Sequence, residues 1–177
     1  MINTCLRSTK LGECTAENPQ YWNMKPLNSG GSVATHLAPY LIDLPEFPDG
    51  MAGSLGVVEY ESLPFKPERV FYQYDISEGA SRGGHAHFSL EQFIVCLAGE
   101  LRVDCIGGYG EQIHKLRRRS EGLYVPPMTW VNLTAITSAT VVLVLASAPF
   151  DEADYIRNAA RFLSLISHKV DADGHYT

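Results

Sequence analysis

The 177-residue chain has no long run of apolar residues. A helix that spans a membrane needs about 20 consecutive apolar residues, and no stretch of this sequence approaches that length. Residues 1–10 mix Asn, Thr, Arg and Lys, unlike the apolar centre of a secretion signal. We therefore expect a cytoplasmic protein without a membrane-spanning segment.

Positive charge is also scarce. Lys and Arg number 14 against 20 Asp and Glu, which gives a formal net charge of −6. Nucleic-acid surfaces derive much of their affinity from clustered Lys and Arg, whereas the one basic run here, residues 115–119, is typical of a solvated strand edge. The composition therefore argues against a nucleic-acid partner.

The cysteines are few and widely spaced. They are Cys5, Cys14, Cys96 and Cys105, and no two of them form a Cys-x-x-Cys pair. The last two lie in or beside apolar strands, so we expect reduced thiols.

Residues 1–38 differ from the rest of the chain. They are polar, and two prolines and the Gly30-Gly31 pair break any periodicity. The Tyr21-Trp22 pair is the one candidate anchor. The segment is either an arm that packs on the main domain or on a partner subunit, or a partly disordered extension.

From Tyr40 onward the pattern favours strands. Short β-rich runs separated by Gly and Pro turns occur at 41–44, 55–60, 69–75, 93–97, 101–106, 111–116, 122–127 and 141–146. Helical spacing occurs only from about residue 151 to 166. The sequence therefore predicts an all-β sandwich or barrel over 39–166, ending in a short C-terminal helix, and a tail at 167–177.

His85 and His87 lie one residue apart in a stretch expected to be extended, so they project to the same face. The apolar run 93–97 follows and would hold the pair on a rigid element. An arbitrary His-x-His is often one structural and one surface histidine. Here Arg82 and the flexible Gly83-Gly84 pair beside the rings favour a site for an anionic or hydroxylated ligand.

The spacing around the histidines resembles the first signature of the cupin superfamily, whose members fold as a jelly roll. The residues that carry this resemblance are Gly79, His85, His87, Glu91 and Gly99. The second cupin signature is matched at Gly122 and Pro126, but Val131 stands where its histidine is expected. The resemblance implies a cupin jelly roll.

A longer set of motifs resembles the nucleotide-sugar 3,4-ketoisomerases, cupin enzymes that move the ketone of dTDP-4-keto-6-deoxyglucose to carbon 3. The motifs are Arg69-Val70-Phe71-Tyr72, Arg82-Gly83-Gly84-His85-Ala86-His87, Glu91-Gln92, 122–127, Thr129-Trp130 and 151–157. They occur in the right order between about residues 41 and 165. The resemblance implies a homodimeric isomerase acting on a dTDP-linked 4-keto-6-deoxy sugar, in the synthesis of 3-amino-3,6-dideoxy sugars for O-antigen or S-layer glycans.

The implied reaction moves a proton from carbon 3 to carbon 4 through an enediol. We assign His87 as the base and His85 as its partner at the oxygens, although the sequence does not distinguish the two. Tyr72, on the preceding strand, is the third candidate catalytic residue, as a donor to the enolate or the sugar hydroxyls, or else a core tyrosine.

Four further residues are candidates for substrate binding: Arg69, Arg82, Glu91 and Trp130. Arg82 can clamp an anionic group through two hydrogen bonds, or else is a surface residue. Alternation from the histidines puts Glu91 on their face and Gln92 on the opposite face, unless a bulge intervenes. Trp130 either stacks on the nucleotide base or fills the core.

No metal and no cofactor are expected. Metal-binding cupins take imidazoles from both signatures, and Val131 removes the second. His85, His87 and Glu91 could still form an open three-ligand metal site, but a metal-free acid–base site is the favoured interpretation. The chain also departs from the family at Ala52, which stands where the family carries an arginine.

Two other functions stay open. A cupin nucleotide-sugar epimerase also removes protons beside a ketone, although the sequence offers no second pair of a histidine and an acid to serve it. A non-catalytic sugar-binding cupin is compatible with Ala52 and Val131.

Overall fold

A computed structural model of the chain describes residues 37–167. In chain order its strands are β1 (Tyr40–Asp43), β2 (Glu46–Pro48), β3 (Ser54–Gly56), β4 (Arg69–Ile76), β5 (Ser81–His87), β6 (Gln92–Ala98), β7 (Leu101–Gly107), β8 (Gly110–Leu116), β9 (Glu121–Val125), β10 (Trp130–Ala135), β11 (Thr140–Ala146) and β12 (Tyr155–Ile156). The α-helix α1 spans Ala159–Ser167, and 3-10 helices occur at Gly50–Ala52, Tyr60–Ser62 and Glu152–Asp154. No helix within the described range is long and apolar enough to cross a membrane.

Ten strands form two five-stranded antiparallel sheets. The first has the order β1-β9-β6-β11-β4 and the second has the order β12-β5-β10-β7-β8, while β2 and β3 pair as a separate hairpin. The sheets pack face to face around a shared core, as in a jelly roll. The predicted all-β cupin fold is confirmed. The predicted N-terminal arm, up to residue 36, and the tail from residue 168 onward lie outside the described residues.

The core between the sheets follows from the alternation of the strands. In β7, Leu101, Val103 and Cys105 are buried while the residues between them are partly exposed, as the sequence predicts. Ile94 and Val142 reach the same cluster from the first sheet. Side chains from both sheets therefore interdigitate in one apolar layer.

The helical part of the chain is shorter than predicted. Asp151 accepts a hydrogen bond from the amide of Ala153, but it caps a 3-10 turn instead of an α-helix. Ile156, predicted as part of the helical repeat, lies in β12 and pairs with Ala86 of β5. The backbone of β12 is thus held by strand pairing, and α1 begins only after it. Its buried Phe162 packs on the outer side of the second sheet.

Two strand predictions also differ from the structure. Residues 55–60 are predicted as one strand, but only the first two of them lie in β3, which pairs with β2 alone. The chain then leaves the strand and enters the 3-10 helix Tyr60–Ser62. The sequence pattern does not predict β10, which lies inside the second sheet and pairs with both β5 and β7.

Two smaller predictions agree with the structure. Cys96 and Cys105 are buried free thiols, whereas Cys5 and Cys14 lie outside the described range. The basic run follows the edge strand β8, where ion pairs link Arg117 to Glu100 and Arg118 to Glu121 and Asp43. The run therefore belongs to a solvated strand edge, as predicted.

Candidate active site

The strand that carries the histidines is interrupted by a β-bulge. Val131 of β10 pairs with His85 and Asn132 pairs with Gly83, so Gly84 is the extra residue. Gly83 and Gly84 have φ angles of +92° and +71°, which strain any residue with a Cβ. A Cβ on Gly83 would also lie 2.5 Å from the carbonyl oxygen of Val131. The sequence predicts the glycine pair to be a flexible segment beside the histidines. In the structure the pair instead forms a fixed bend in the strand.

The bulge decides which face Arg82 occupies. Arg82 lies three residues before His85, and simple alternation would put the two side chains on opposite faces. Because of the extra residue, Arg82 pairs with Leu133 and His85 pairs with Val131, and directly paired residues share a face. Leu133 and Val131 both belong to the core between the sheets. Arg82 therefore lies on the face of His85, with an exposed side chain.

His87 and Asp154 form a hydrogen-bonded pair. Nδ1 of His87 lies 3.0 Å from Oδ2 of Asp154. The same carboxylate accepts hydrogen bonds from the amide and hydroxyl of Ser89 and from the amide of Leu90. Nε2 of His87 is buried and has no hydrogen-bond partner among the described residues. Asp154 thus fixes the ring by one nitrogen and leaves the other nitrogen available.

Both imidazoles are held in the neutral form. Burial lowers the pKa of His87 from 6.5 to about 4, and the neighbouring His85 and Arg69 act in the same direction, against the attraction of Asp154. Burial also lowers the pKa of His85, and the nearby Arg157 contributes to the same shift. At neutral pH each ring therefore carries one N–H and one lone pair.

Asp154 is held in the charged form. Burial favours its neutral acid, but hydrogen bonds from Ser89, Leu90 and His87 outweigh burial and hold the pKa of Asp154 below its usual range. A carboxylate accepts hydrogen bonds and cannot donate them, so the proton between the pair sits on Nδ1 of His87. The free lone pair of His87 is consequently on Nε2.

Tyr155 lies against both histidines. Its ring centroid is 5.0 Å from that of His85 and 4.2 Å from that of His87, and the two imidazoles are 5.1 Å apart. The pairing of β12 with β5 sets this contact, because Tyr155 lies directly across from His87. The guanidinium of Arg157 stacks on the Tyr155 ring, 4.3 Å from its centroid. It donates two hydrogen bonds to the carboxylate of Glu152, which hold it there.

A cavity of about 260 Å³ opens beside His87. Its polar lining includes Arg69, Ser89, Asp151, Asp154 and Tyr155. The guanidinium carbon of Arg69 lies 5.2 Å from the ring centroid of Phe71 and 5.7 Å from that of Phe150. Nε of Arg69 is buried without a hydrogen-bond partner among the described residues. The cavity thus places a guanidinium that has a hydrogen bond to offer beside the histidine–carboxylate pair, and this guanidinium can contact an anionic or hydroxylated group of a ligand.

His85 lines a second, smaller cavity of about 50 Å³ between the sheets. Val131 contributes to its wall, so the position where the cupin signature would carry a histidine is apolar here. Gln73 and Gln92 supply polar side chains to the same wall. Among residues 37–167, no group of three His, Cys, Asp or Glu side chains is arranged to hold a metal ion.

The prediction that Glu91 shares the face of the histidines is wrong. Its carboxylate accepts a hydrogen bond of 2.6 Å from Tyr124, which packs on the outer side of the first sheet. Gln92 is the residue that lines the cavity beside His85. Alternation cannot be carried from β5 to β6, because these strands lie in different sheets and the connection between them crosses from one sheet to the other.

Tyr72 and Trp130 also lie away from the histidine cluster. Tyr72 is 65% exposed on the outer side of β4, while its neighbours Phe71 and Gln73 face the cavity between the sheets. Both faces of β4 carry aromatic residues, so the sequence pattern could not decide which face of the strand points toward the core. Trp130 packs on Phe162 of α1 with the ring centroids 5.5 Å apart, as in the alternative in which it fills a core.

The family model described as FdtA, WxcM-like, C-terminal matches residues 37–167. This chain belongs to that family. A TDP-4-oxo-6-deoxy-alpha-D-glucose-3,4-oxoisomerase from Aneurinibacillus thermoaerophilus is 36% identical to the FdtA-like chain over 127 residues, which are 72% of this chain and 91% of the relative. The predicted kinship with the nucleotide-sugar 3,4-ketoisomerases, a family of isomerases, is therefore confirmed.

Solved structures agree with the family assignment. The sugar 3,4-ketoisomerase QdtA from Thermoanaerobacterium thermosaccharolyticum, solved in complex with TDP, is 33% identical, with a TM-score of 0.69 over 73% of the FdtA-like chain and 94% of QdtA. The TDP-quinovose 3,4-ketoisomerase WlaRB from Campylobacter jejuni is 32% identical, with a TM-score of 0.66 over 71% of this chain and 97% of WlaRB.

Asp154 and Tyr155 contact the histidines of the candidate site, and the sequence pattern did not predict either of them. Both belong to the motif at 151–157, which helps to carry the family resemblance but which the helical spacing assigns to the start of a helix. The composition of this motif was the one signal that could have identified them, since it holds acidic residues, a tyrosine and an arginine close together. Spacing along the chain could not connect it with His87, because only the pairing of β12 with β5 brings the two together.

Proposed function

We propose that this FdtA-like chain is a sugar-nucleotide 3,4-ketoisomerase that converts dTDP-4-keto-6-deoxyglucose to a dTDP-3-keto-6-deoxyhexose. The observation that carries the proposal is the His87–Asp154 pair, which leaves Nε2 of His87 buried and without a partner among the described residues. The substrate class is supported by the named activity of the Aneurinibacillus relative and by the TDP bound to QdtA.

His87 is the proposed base. Its Nε2 takes the proton from carbon 3, the electron pair of the C–H bond forms the double bond between carbons 3 and 4, and the carbonyl electrons move to the oxygen on carbon 4. The imidazolium then returns the proton to carbon 4 while the hydroxyl on carbon 3 becomes the ketone, and the proton that this hydroxyl loses is balanced by the proton that the oxygen on carbon 4 gains. Asp154 stabilises the imidazolium through its hydrogen bond to Nδ1. The change is an internal relocation of protons, so neither an oxidant nor a reductant is consumed.

His85 is the proposed partner at the sugar oxygens. Its ring lies 5.1 Å from that of His87, which is close enough for both to contact one sugar. Arg69, beside the larger cavity, and Arg82, on the face of His85, are the proposed contacts to the diphosphate. Glu91 and Trp130 have no place in this proposed set, since both pack outside the histidine cluster.

A homodimer remains part of the proposal. Val70, Tyr72 and Tyr74 are exposed by 59%, 65% and 61% on β4, the outer strand of the first sheet. A long apolar edge strand favours pairing with another strand. A two-fold axis at Tyr72 would put Val70 of one copy opposite Tyr74 of the other, which is a favourable cross-strand pair.

A cytoplasmic location, supported by the composition of the chain, also stays a proposal.

Isotope incorporation tests the proposed function. The protein is incubated with dTDP-4-keto-6-deoxyglucose in deuterated water, and the products are analysed by NMR spectroscopy, with heat-denatured protein as the control. A 3-keto product is the expected result, and it carries deuterium at carbon 4 to the extent that the proton on Nε2 of His87 exchanges with solvent before it is returned. Deuterium at carbons 3 and 5 of a 4-keto product would identify an epimerase instead. A substrate that binds but gives no 3-keto product and exchanges no proton would identify a sugar-binding cupin.

A further inference from the structure

At neutral pH the imidazole of His87, the proposed base, offers the site a hydrogen-bond acceptor and no donor. A neutral imidazole has a single N–H. That of His87 points to Asp154. The other nitrogen of His87, Nε2, therefore carries a lone pair and has no partner among the described residues.

The proposed reaction needs a donor as well as a base. When the carbon-3 proton leaves, negative charge develops on the oxygen at carbon 4, and in a buried site this charge is stabilised mainly by a hydrogen-bond donor already in place. One proton must also leave the oxygen on carbon 3 and one must reach the oxygen on carbon 4. A single group that both gives and takes a proton can serve these neighbouring oxygens.

Tyr155 is the group that meets these requirements. Its ring contacts both imidazoles, and it lines the cavity beside His87. The other hydroxyl at that cavity belongs to Ser89, which already donates to Asp154 over 2.7 Å. Arg69 has hydrogen bonds to offer but does not release its protons, so it can bind a charged oxygen without relaying a proton.

The position of Tyr155 is well fixed. The pairing of β12 with β5 holds its backbone, and its ring is packed between the imidazoles and the guanidinium of Arg157. Arg157 is in turn held by Glu152 at 2.7 and 2.9 Å. A catalytic hydroxyl on a strand with such support keeps its place better than one on a loop.

We propose that Tyr155 is a catalytic residue that relays a proton between the oxygens on carbons 3 and 4 while His87 relays a proton between the carbons. The phenol gives its proton to the oxygen on carbon 4 as the carbonyl electrons arrive there. It takes a proton from the hydroxyl on carbon 3 as that oxygen forms the new ketone, so the phenol is restored. The inference rests on the proposed ketoisomerase function and gives Tyr155 the role that the sequence suggested for Tyr72.

Three phenylalanine variants test the proposal by steady-state kinetics and thermal melting. Tyr155→Phe removes only the hydroxyl and keeps the ring between the histidines, so we expect kcat to fall by at least about 100-fold, KM to stay within about threefold and the melting temperature to be unchanged. Tyr60→Phe, at an exposed tyrosine outside the two large sheets, is the matched control and should keep wild-type kinetics. Wild-type turnover in Tyr155→Phe, or a comparable loss in Tyr72→Phe instead, would overturn the proposal.

A second measurement does not depend on removing the hydroxyl. Incorporation of 3-fluorotyrosine at position 155 makes the phenol more acidic, and we expect the alkaline limb of the kcat profile to move to lower pH. An unchanged limb would argue against a relay through this phenol. If the wild-type protein forms no 3-keto product, the ketoisomerase function and this inference both fail. If it forms that product and Tyr155→Phe forms it equally fast, only the inference fails.

Discussion

Asp154 follows His87 by 67 residues in the chain, yet its Oδ2 lies 3.0 Å from Nδ1 of His87 in the folded protein. The contact exists because the two-residue strand β12 pairs with β5 and puts Tyr155 directly across from His87. A carboxylate that accepts a hydrogen bond from Nδ1 fixes the tautomer of the imidazole and leaves the lone pair on Nε2, the proposed base. The proposed chemistry therefore depends on this pair and on the two strands that bring it together.

Replacement of either histidine should remove most of the activity. His87→Asn and His85→Asn are each expected to lower kcat by at least about 100-fold, since general acid–base catalysis contributes factors of that size. Far-UV circular dichroism and the affinity for dTDP should remain close to those of the wild type. Wild-type-like turnover in both variants would remove the histidines from the mechanism.

Asp154→Asn should lower kcat by at least about 100-fold with a small change in KM, because an amide can present its NH₂ to Nδ1 and so favour the wrong tautomer of His87. Asp104→Asn is the matched control, because Asp104 pairs with Arg102 on β7, away from the histidines. Single-substrate kinetics of the two variants provide the comparison. Equal rates would show that Asp154 serves the fold alone.

Burial of His87 should make the folded protein less stable in acid. The unfolded histidine takes up a proton near pH 6.5, whereas the pKa of the folded one is about 4, so the unfolded state binds more protons between these values. The free energy of unfolding should therefore fall as the pH drops from 6.5 to 4, by up to about 3 kcal/mol from this residue, at about 1.4 kcal/mol per pKa unit.

Denaturant unfolding of the wild type and of His87→Asn across this range measures the effect. The variant should lose less stability than the wild type between pH 6.5 and 4, because it lacks the buried imidazole that takes up a proton on unfolding. Parallel curves for the two proteins would contradict the assignment of this loss to His87.

Gly83→Ala should disturb the bulge that sets the histidine strand. The new Cβ would meet the carbonyl of Val131 at 2.5 Å, and φ at this position is +92°, so we expect a destabilisation of about 1–3 kcal/mol together with reduced activity. Gly56→Ala is the control, because no atom lies within 4 Å of the place that its new Cβ would occupy and its φ is not positive. Thermal and urea unfolding of the two variants should therefore differ clearly.

Tyr72→Lys should weaken self-association if copies of the chain pair along β4. The substitution puts two lysines near each other at the proposed two-fold axis, and like charges on facing strands repel. Tyr60→Lys changes a similarly exposed aromatic residue outside the two large sheets and should leave the assembly unchanged. Light scattering at micromolar concentration compares the two variants. A wild-type protein that is monomeric would remove the dimer from the proposal.

The sequence by itself determined the architecture and the histidine strand. The alternation of Leu101, Val103 and Cys105 and the apolar run 141–146 specify strands that bury one or both faces, and two histidines separated by one residue of a strand must share a face. The motifs also sufficed to identify the family, because several of them occur in order along most of the chain.

Only the tertiary structure decided which other side chains join the histidines. Alternation fixes relative orientation within one strand, but it is lost where the chain crosses between sheets, and Gln92 therefore faces the interior while Glu91 does not. It also shifts at a bulge, which returns Arg82 to the face of His85. Asp154 reaches His87 through pairing between distant strands, and such pairing depends on the packing of the whole sandwich, which no local pattern encodes.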